Sequence, residues 1–164
     1  MTNDTHYANQ KCCGYCAGSG RDRNGEPCAV CDGSGVPGVF RKPVRLKLSR
    51  RKDFDLQALS RATNGLPALN VARPGKLGNM FVVTPDRPAR KIGNGPFSAL
   101  FAVPTVEEAV ACFREVFSCE GETGDGLRAE LPKVRGHNVA CWCGLKDLCH
   151  GDVWLELANA GRAP

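Results

Sequence analysis

The feature that most constrains this chain is a short pattern that occurs twice near its N-terminus: Cys13-Gly-Tyr-Cys16-Ala-Gly-Ser-Gly20 and Cys28-Ala-Val-Cys31-Asp-Gly-Ser-Gly35. Both copies read C-x-x-C-x-G-x-G. A two-residue gap lets a tight turn aim both thiolates of a pair at one point, and two pairs supply the four sulfurs of a tetrahedral zinc site. The glycines after each pair suit backbone that turns back with positive φ, where a Cβ would clash. Cys13, Cys16, Cys28 and Cys31 are therefore the expected zinc ligands, and Cys12, out of register with the repeat, a spare thiol. A segment this short has no core of its own, so bound metal would be what folds it.

The repeat resembles the cysteine-rich zinc region of DnaJ-type co-chaperones, over Cys13 to Gly35 only. Those co-chaperones carry four repeats and a J-domain with a His-Pro-Asp tripeptide, whereas this chain has two repeats and no such tripeptide. The resemblance thus implies a zinc hairpin without implying a complete co-chaperone. Such a hairpin either only folds its own segment or also recognises nucleic acid or protein.

At 164 residues and 42% hydrophobic composition the chain has room for one ordinary domain plus a small module. No apolar run approaches membrane-spanning length, and the opening MTNDTHYANQ lacks the apolar stretch of a signal peptide, so a soluble, cytoplasmic protein is expected. Ten cysteines with C-x-x-C spacing then favour reduced thiols and metal over a disulfide framework.

Charge is unevenly spread. Residues 1–52 hold ten Lys/Arg against four Asp/Glu, a net +6, while residues 53–164 hold twelve against thirteen, a net −1. The surplus peaks at Arg41, Lys42, Arg45, Lys47, Arg50, Arg51 and Lys52, with no acid among them. Val44, Leu46 and Leu48 alternate with Arg45 and Lys47, which predicts a strand with one apolar and one basic face. Beside a zinc hairpin, that face would make a phosphate-backbone footprint; the plainer alternative is a solvated face that blunts a sheet edge.

The pattern divides the chain into a flexible tail (1–10), the zinc hairpin (11–38) and one compact α/β domain (39–164). Residues 53–65 suit a short helix or an irregular excursion, 68–72 and 81–83 short strands, and 85–96 a Pro-rich basic stretch. The clearest helix runs from Thr105 to about Ser118. Thr105 and Glu108 form a capping box, and Val106, Ala109, Val110, Phe113, Val116 and Phe117 recur on one face. Cys112 and Cys119 fall near the edge of that stripe and read as small buried hydrophobes. A Gly-rich loop, GETGDG, precedes a short helical piece around 127–131. A strand over 138–143 and a closing helix over 151–159 follow.

The segment Cys141-Trp142-Cys143…Cys149-His150 carries the other dense chemistry. Alternation along a strand projects Cys141 and Cys143 to one side and Trp142 to the other. Cys149 and His150 fall at the start of the last helix, where backbone N–H groups and the helix dipole favour a thiolate or a bound anion. Three readings stand: a second zinc site of Cys141, Cys143, Cys149 and His150; a catalytic pair with a low-pKa Cys149 or Cys143 and His150 as base; or a packed, cysteine-lined turn. His6 and His137 are expected to face solvent, and Asp152 to complement the dipole of the last helix.

The run Ala72-Arg-Pro-Gly-Lys-Leu-Gly-Asn-Met-Phe81, with Cys141-Trp-Cys143 and Cys149-His150-Gly-Asp-Val downstream, resembles an uncharacterised domain family of bacteria and their phages. That family is marked by G-N-P-F and C-W-C motifs. Ser49-Arg-Arg-Lys52 is similar to its basic entry segment, and the resemblance spans about residues 45–160; Met80 departs from it, standing where the family has Pro. Membership implies an α/β fold and a site at a strand-end loop and a strand-to-helix crossing, but no reaction.

On this basis Arg73, Lys76, Gly78 and Asn79 are expected to face Cys141, Cys143, Cys149 and His150 across one anion-binding pocket. Arg73 and Lys76 would hold a phosphate, and Asn79 would orient a base or sugar hydroxyl or else only close its own turn. The leading expectation is a zinc-binding protein that engages nucleic acid or a nucleotide. A Cys149/His150 enzyme acting on a nucleotide or nucleobase, and a protein-interaction adaptor, are the alternatives.

Overall fold

The computed structural model describes residues 16, 18–25, 28, 31, 42–85, 90–94 and 99–160. The tail over 1–10, the expected ligand Cys13 and the expected basic residue Arg41 lie outside these residues, as does most of the second repeat. The fold is mixed α/β, built on two three-stranded sheets.

The first sheet is parallel throughout. Its strands are β1 (Arg45–Lys47), β2 (Ala68–Asn70) and β6 (Asn138–Cys141), with β6 in the centre. Arg45 pairs with Val139 on one side of β6 and Ala68 pairs with Asn138 on the other, so all three strands end at the same edge. Every residue of β6 is buried, as befits a central parallel strand covered on both faces. The second sheet sets β5 (Ala99–Val103) between β3 (Phe81–Val83), parallel to it, and β4 (Arg90–Asn94), antiparallel.

Five helices are present among the described residues. α1 (Leu56–Asn64) starts at Asp55, whose carboxylate accepts from the backbone of Gln57 and Ala58, and stops at Gly65, held in the left-handed conformation at φ 77°. That terminus needs glycine because any Cβ would be strained there. α2 (Val106–Val116) starts at Thr105, whose hydroxyl accepts from the Glu108 N–H at 3.1 Å, the forward half of the expected capping box. α3 (Glu122–Arg128), α4 (Leu131–Val134) and α5 (His150–Ala158) complete the set.

The core lies where α2 and α5 meet over β6 and β1. Trp154, Phe113 and Phe117 interlock edge to face at 5.1–6.0 Å around a floor of Val71, Val139 and Ala140. The Trp154 indole N–H donates to the Leu77 oxygen at 2.9 Å, so this buried ring satisfies its one polar atom. Polar bonds lock the far end of the sheet. The Asn138 side chain, fully buried, accepts from the Val44 N–H and the Asn64 amide and donates to the Ser60 hydroxyl, tying β6, the entry to β1 and α1 together.

Three sequence expectations need correction. The GETGDG segment is not a loop: it begins α3 at Glu122, and Gly124 sits so close to the Cys119 and Val116 oxygens that a Cβ would overlap them. Residues 85–96, read as a Pro-rich stretch, contain β4, and β5 follows. Cys112 is only half-buried and Cys119 is exposed, its thiol donating to the Glu115 oxygen, so neither is a core residue. No helix among the described residues is long and apolar enough to cross a membrane.

Candidate metal centres and an adjoining pocket

Among the described residues, two triads of cysteine sulfurs are positioned to hold a metal ion, each with its three sulfurs within 4.8 Å of one another. The N-terminal triad is Cys16, Cys28 and Cys31, all buried. Cys16 and Cys31 stand 3.6 Å apart, close to the roughly 3.8 Å edge of a tetrahedron of sulfurs about 2.3 Å from zinc. Gly18 and Gly20 adopt φ of 85° and 74°, as the repeat required, and the turn they allow lets the Gly20 N–H donate to the Cys16 sulfur at 3.3 Å. Backbone N–H groups that point at a thiolate stabilise its charge and orient it.

The C-terminal triad is Cys141, Cys143 and Cys149. The central strand, expected over 138–143, ends at Cys141, and the bend that follows places the Cys143 sulfur 3.6 Å from that of Cys141. Cys149 is the N-cap of α5 and its sulfur accepts from the Gly151 N–H at 3.3 Å. Among these thiols the proton distribution is uneven. Cys141 is drawn down to about 5, chiefly by the hydrogen bond from Cys149, which in turn is pushed far up by that bond and by burial. Burial likewise pushes the Cys143 thiol up. The direction at Cys149 and Cys143 is thus upward rather than the lowering expected for a reactive thiol, and the hydrogen bonds of the cluster favour a thiolate at Cys141.

His150 is buried and stands edge-on to Phe113 with centroids 5.2 Å apart. Its Nε2 lies 2.7 Å from the Val71 oxygen, an acceptor only, so the proton sits on Nε2 and Nδ1 carries the lone pair. Nδ1 lies 3.8 Å from the Cys149 sulfur, yet His150 is not part of the mutually close donor set. Burial pushes its pKa down, which keeps the ring neutral.

A buried cation braces the loop between the second and third sulfurs. The Arg45 side chain is 7% exposed, and its guanidinium donates to the oxygens of Gly144, Leu145 and Asp147 at 2.8–3.0 Å and to the Asp152 carboxylate at 2.9 Å. These partners occupy the residue the sequence had assigned to the phosphate footprint. Of the other basic residues, Lys42, Lys47, Arg50, Arg51 and Lys52 are exposed, with Arg51 3.5 Å from Asp53.

A cavity of about 430 Å³ adjoins the C-terminal triad. It sits beyond the carboxyl ends of the parallel strands, where such sheets place their ligands: Arg50 follows β1, Ala72 and Arg73 follow β2, and the three cysteines and His150 follow or end β6. Phe81 and Val83 from β3 and Val106 and Val110 from α2 give it an apolar wall. Trp142, 45% exposed, stands at the cavity with the Arg50 guanidinium 5.2 Å from its ring centroid.

Arg73 and Asn79 line this cavity, as expected, but Lys76 and Gly78 do not. Lys76 pairs instead with buried Glu130 at 2.6 Å, and Lys133 approaches the same carboxylate at 2.9 Å. Gly78 is buried against Arg73, where a Cβ would meet backbone at 2.9 Å. The Asn79 amide is already engaged, accepting from the Phe81 N–H at 2.8 Å and donating to the Ala109 oxygen at 3.0 Å, so it holds the loop shut. Arg73 donates through one nitrogen to the oxygens of Asn79 and Phe81. The apolar wall was not foreseen; β3 and α2 were legible as elements, but no sequence signal aims them at the cysteines.

The fold and site define a mixed α/β protein with a thiol cluster and cavity at a strand-to-helix crossing. Residues 58–160 match a domain of unknown function (DUF4326), and the chain belongs to that family. The match begins downstream of Ser49–Lys52 and of the N-terminal hairpin. Comparison with curated proteins and with solved structures returned no match.

Proposed function

We propose that this chain is a zinc-binding protein that engages a nucleotide or a nucleic acid through the cavity beside the C-terminal triad. One observation carries the reading: two exposed guanidiniums, Arg50 and Arg73, and the exposed Trp142 ring meet at a single cavity of about 430 Å³. Guanidinium groups match phosphate oxygens in charge and geometry, and an indole face accepts a stacked base. Lys47, Arg51 and Lys52 are exposed and close to Arg50 in sequence, and would extend the positive charge along a polymer's backbone.

Zinc is the metal this reading assigns to the N-terminal triad, with Cys13 as the fourth ligand, because an all-thiolate donor set suits tetrahedral zinc. The hairpin over 11–38 would be a metal-folded accessory to the domain that begins near residue 39. Arg45 has a supporting role in this account and makes no ligand contact.

The test is a fluorescence titration of the full chain with a single-stranded oligonucleotide at several salt concentrations. Binding should quench Trp142, weaken steeply with salt, and fall about tenfold or more in Arg73→Gln and in Arg50→Gln, the loss of one charge-assisted phosphate contact each. Trp142→Phe identifies the responding ring, since Trp154 is buried. Salt-independent binding, or binding indifferent to both arginine variants, would refute the proposal.

A further inference from the structure

The two triads differ in what surrounds them. All three C-terminal cysteines line an open cavity, and the donor atoms close enough to share one ion comprise three sulfurs and no histidine nitrogen. His150 Nδ1 stands 3.8 Å from the Cys149 sulfur but outside the mutually close set, and its ring is held by the 2.7 Å bond to the Val71 oxygen and by Phe113. Structural zinc sites close with four protein ligands, whereas sites that work on a ligand keep one position free.

We propose that Cys141, Cys143 and Cys149 bind one divalent metal ion as three thiolates and leave a fourth, exchangeable position facing the cavity, where a small ligand coordinates the metal directly. This goes beyond the nucleotide reading and holds without it. Three thiolates leave the centre with a net charge of −1, so the incoming atom is a neutral nitrogen or a soft sulfur rather than a hard oxyanion. The ligand's remaining charge is set by the cavity: Arg73 has unbonded N–H groups among the described residues, and Arg50 lies on the same cavity, so the ligand carries an anionic group as well as its donor atom.

The lining also separates binding from support. His150 is a positioning residue here: its N–H fixes the end of β2 against α5, and its ring covers the flank of Cys149. Arg45 holds the 144–147 loop so that Cys143 and Cys149 reach one ion.

Cobalt(II) loaded into the full chain tests the proposal, because its visible spectrum reports every change in a thiolate-bound ion's ligands. Two cobalt ions per chain are expected, one for each triad. Imidazole should shift the visible bands of one of them, and imidazole-4-acetate should do so at several-fold lower concentration, an advantage that Arg73→Gln removes. Cys143→Ser should lower the cobalt content to one and abolish the shift, whereas Cys28→Ser should keep it. Should one of these variants not fold, the wild-type titration together with the other decides. A wild-type spectrum that imidazole leaves unchanged overturns the open position, and a cobalt content that Cys143→Ser does not alter overturns the site. An imidazole response in a chain that does not bind oligonucleotide supports the open metal position and sinks the nucleotide reading alone.

Discussion

The two cysteine triads share a donor set and differ in nearly everything that holds it. In the N-terminal triad Cys16 opens a tight turn that runs to Gly20, and the three sulfurs form their own small buried cluster. In the C-terminal triad the sulfurs come from a strand end, the residue two beyond it and a helix cap, and Cys141 and Cys149 belong to the main core. In the proposed reading the first site makes its own fold with the metal, whereas the second is built by elements of the main core. The proposal accordingly gives the first a structural role and the second a ligand-facing one.

The largest effect that could break this contrast is metal removal. Structural zinc supplies about 10–16 kcal/mol of apparent binding energy to a small module, so chelation should unfold residues 16–31 and leave the domain over 42–160 intact. Amide NMR spectra recorded before and after chelation would check this; loss of the domain's dispersed signals together with the hairpin's would contradict it.

Arg45→Gln comes next. It removes the charge that braces the 144–147 loop, and supporting residues of this kind are worth about 10–100-fold in metal affinity. Competition with a chelator of known affinity should register that loss at the C-terminal triad and none at the N-terminal one. Gly151→Ala should act on the same site more mildly. The added Cβ would stand 3.1 Å from the Arg45 side chain and 3.4 Å from the Cys149 sulfur, at a cost of about 1 kcal/mol in thermal or denaturant unfolding.

Glu130 lies outside both triads and supplies the smallest effect. Hydrogen bonds from Lys76 and then Lys133 hold its carboxyl below its usual value of 4.5. A carboxyl depressed in the folded state adds stability that is fully present above its unfolded pKa and is lost as pH falls through the folded one. Both lysines are more than half exposed, so the increment is about 1 kcal/mol. Glu130→Gln should lose it at pH 7 and unfold with a shallower acid dependence below about pH 4.5, with metal binding at both triads unchanged.

Much of the contrast was legible in residue order. Alternation at Val44, Leu46 and Leu48 predicted β1, and Leu46 and Leu48 are buried. The Thr105–Glu108 spacing marked the start of α2, and Cys149 does cap the last helix. What local pattern could not supply were the pairings made across the fold. Arg45 reads as one of a basic run, and only contacts about a hundred residues away turn it into a buried brace. Lys76 reads as a cavity cation until Glu130, 54 residues on, takes it. Helix α3 was hidden by its own glycines, one of which is there because α2 ends against it. β4 and β5 were obscured by the prolines and glycines around them, and β4 carries a register shift between Lys91 and Gly93 that breaks simple alternation.

On the proposed reading one triad is closed and structural, while the other is braced by the fold and open to a ligand. Native mass spectrometry of the zinc-loaded full chain during timed exposure to a chelator tests it most directly. Two zinc ions per chain, one from each triad, should be lost in two separate steps, with the early step absent in Cys143→Ser. A single zinc in the wild-type chain, or two that leave together with Cys143→Ser changing neither count nor timing, would contradict it.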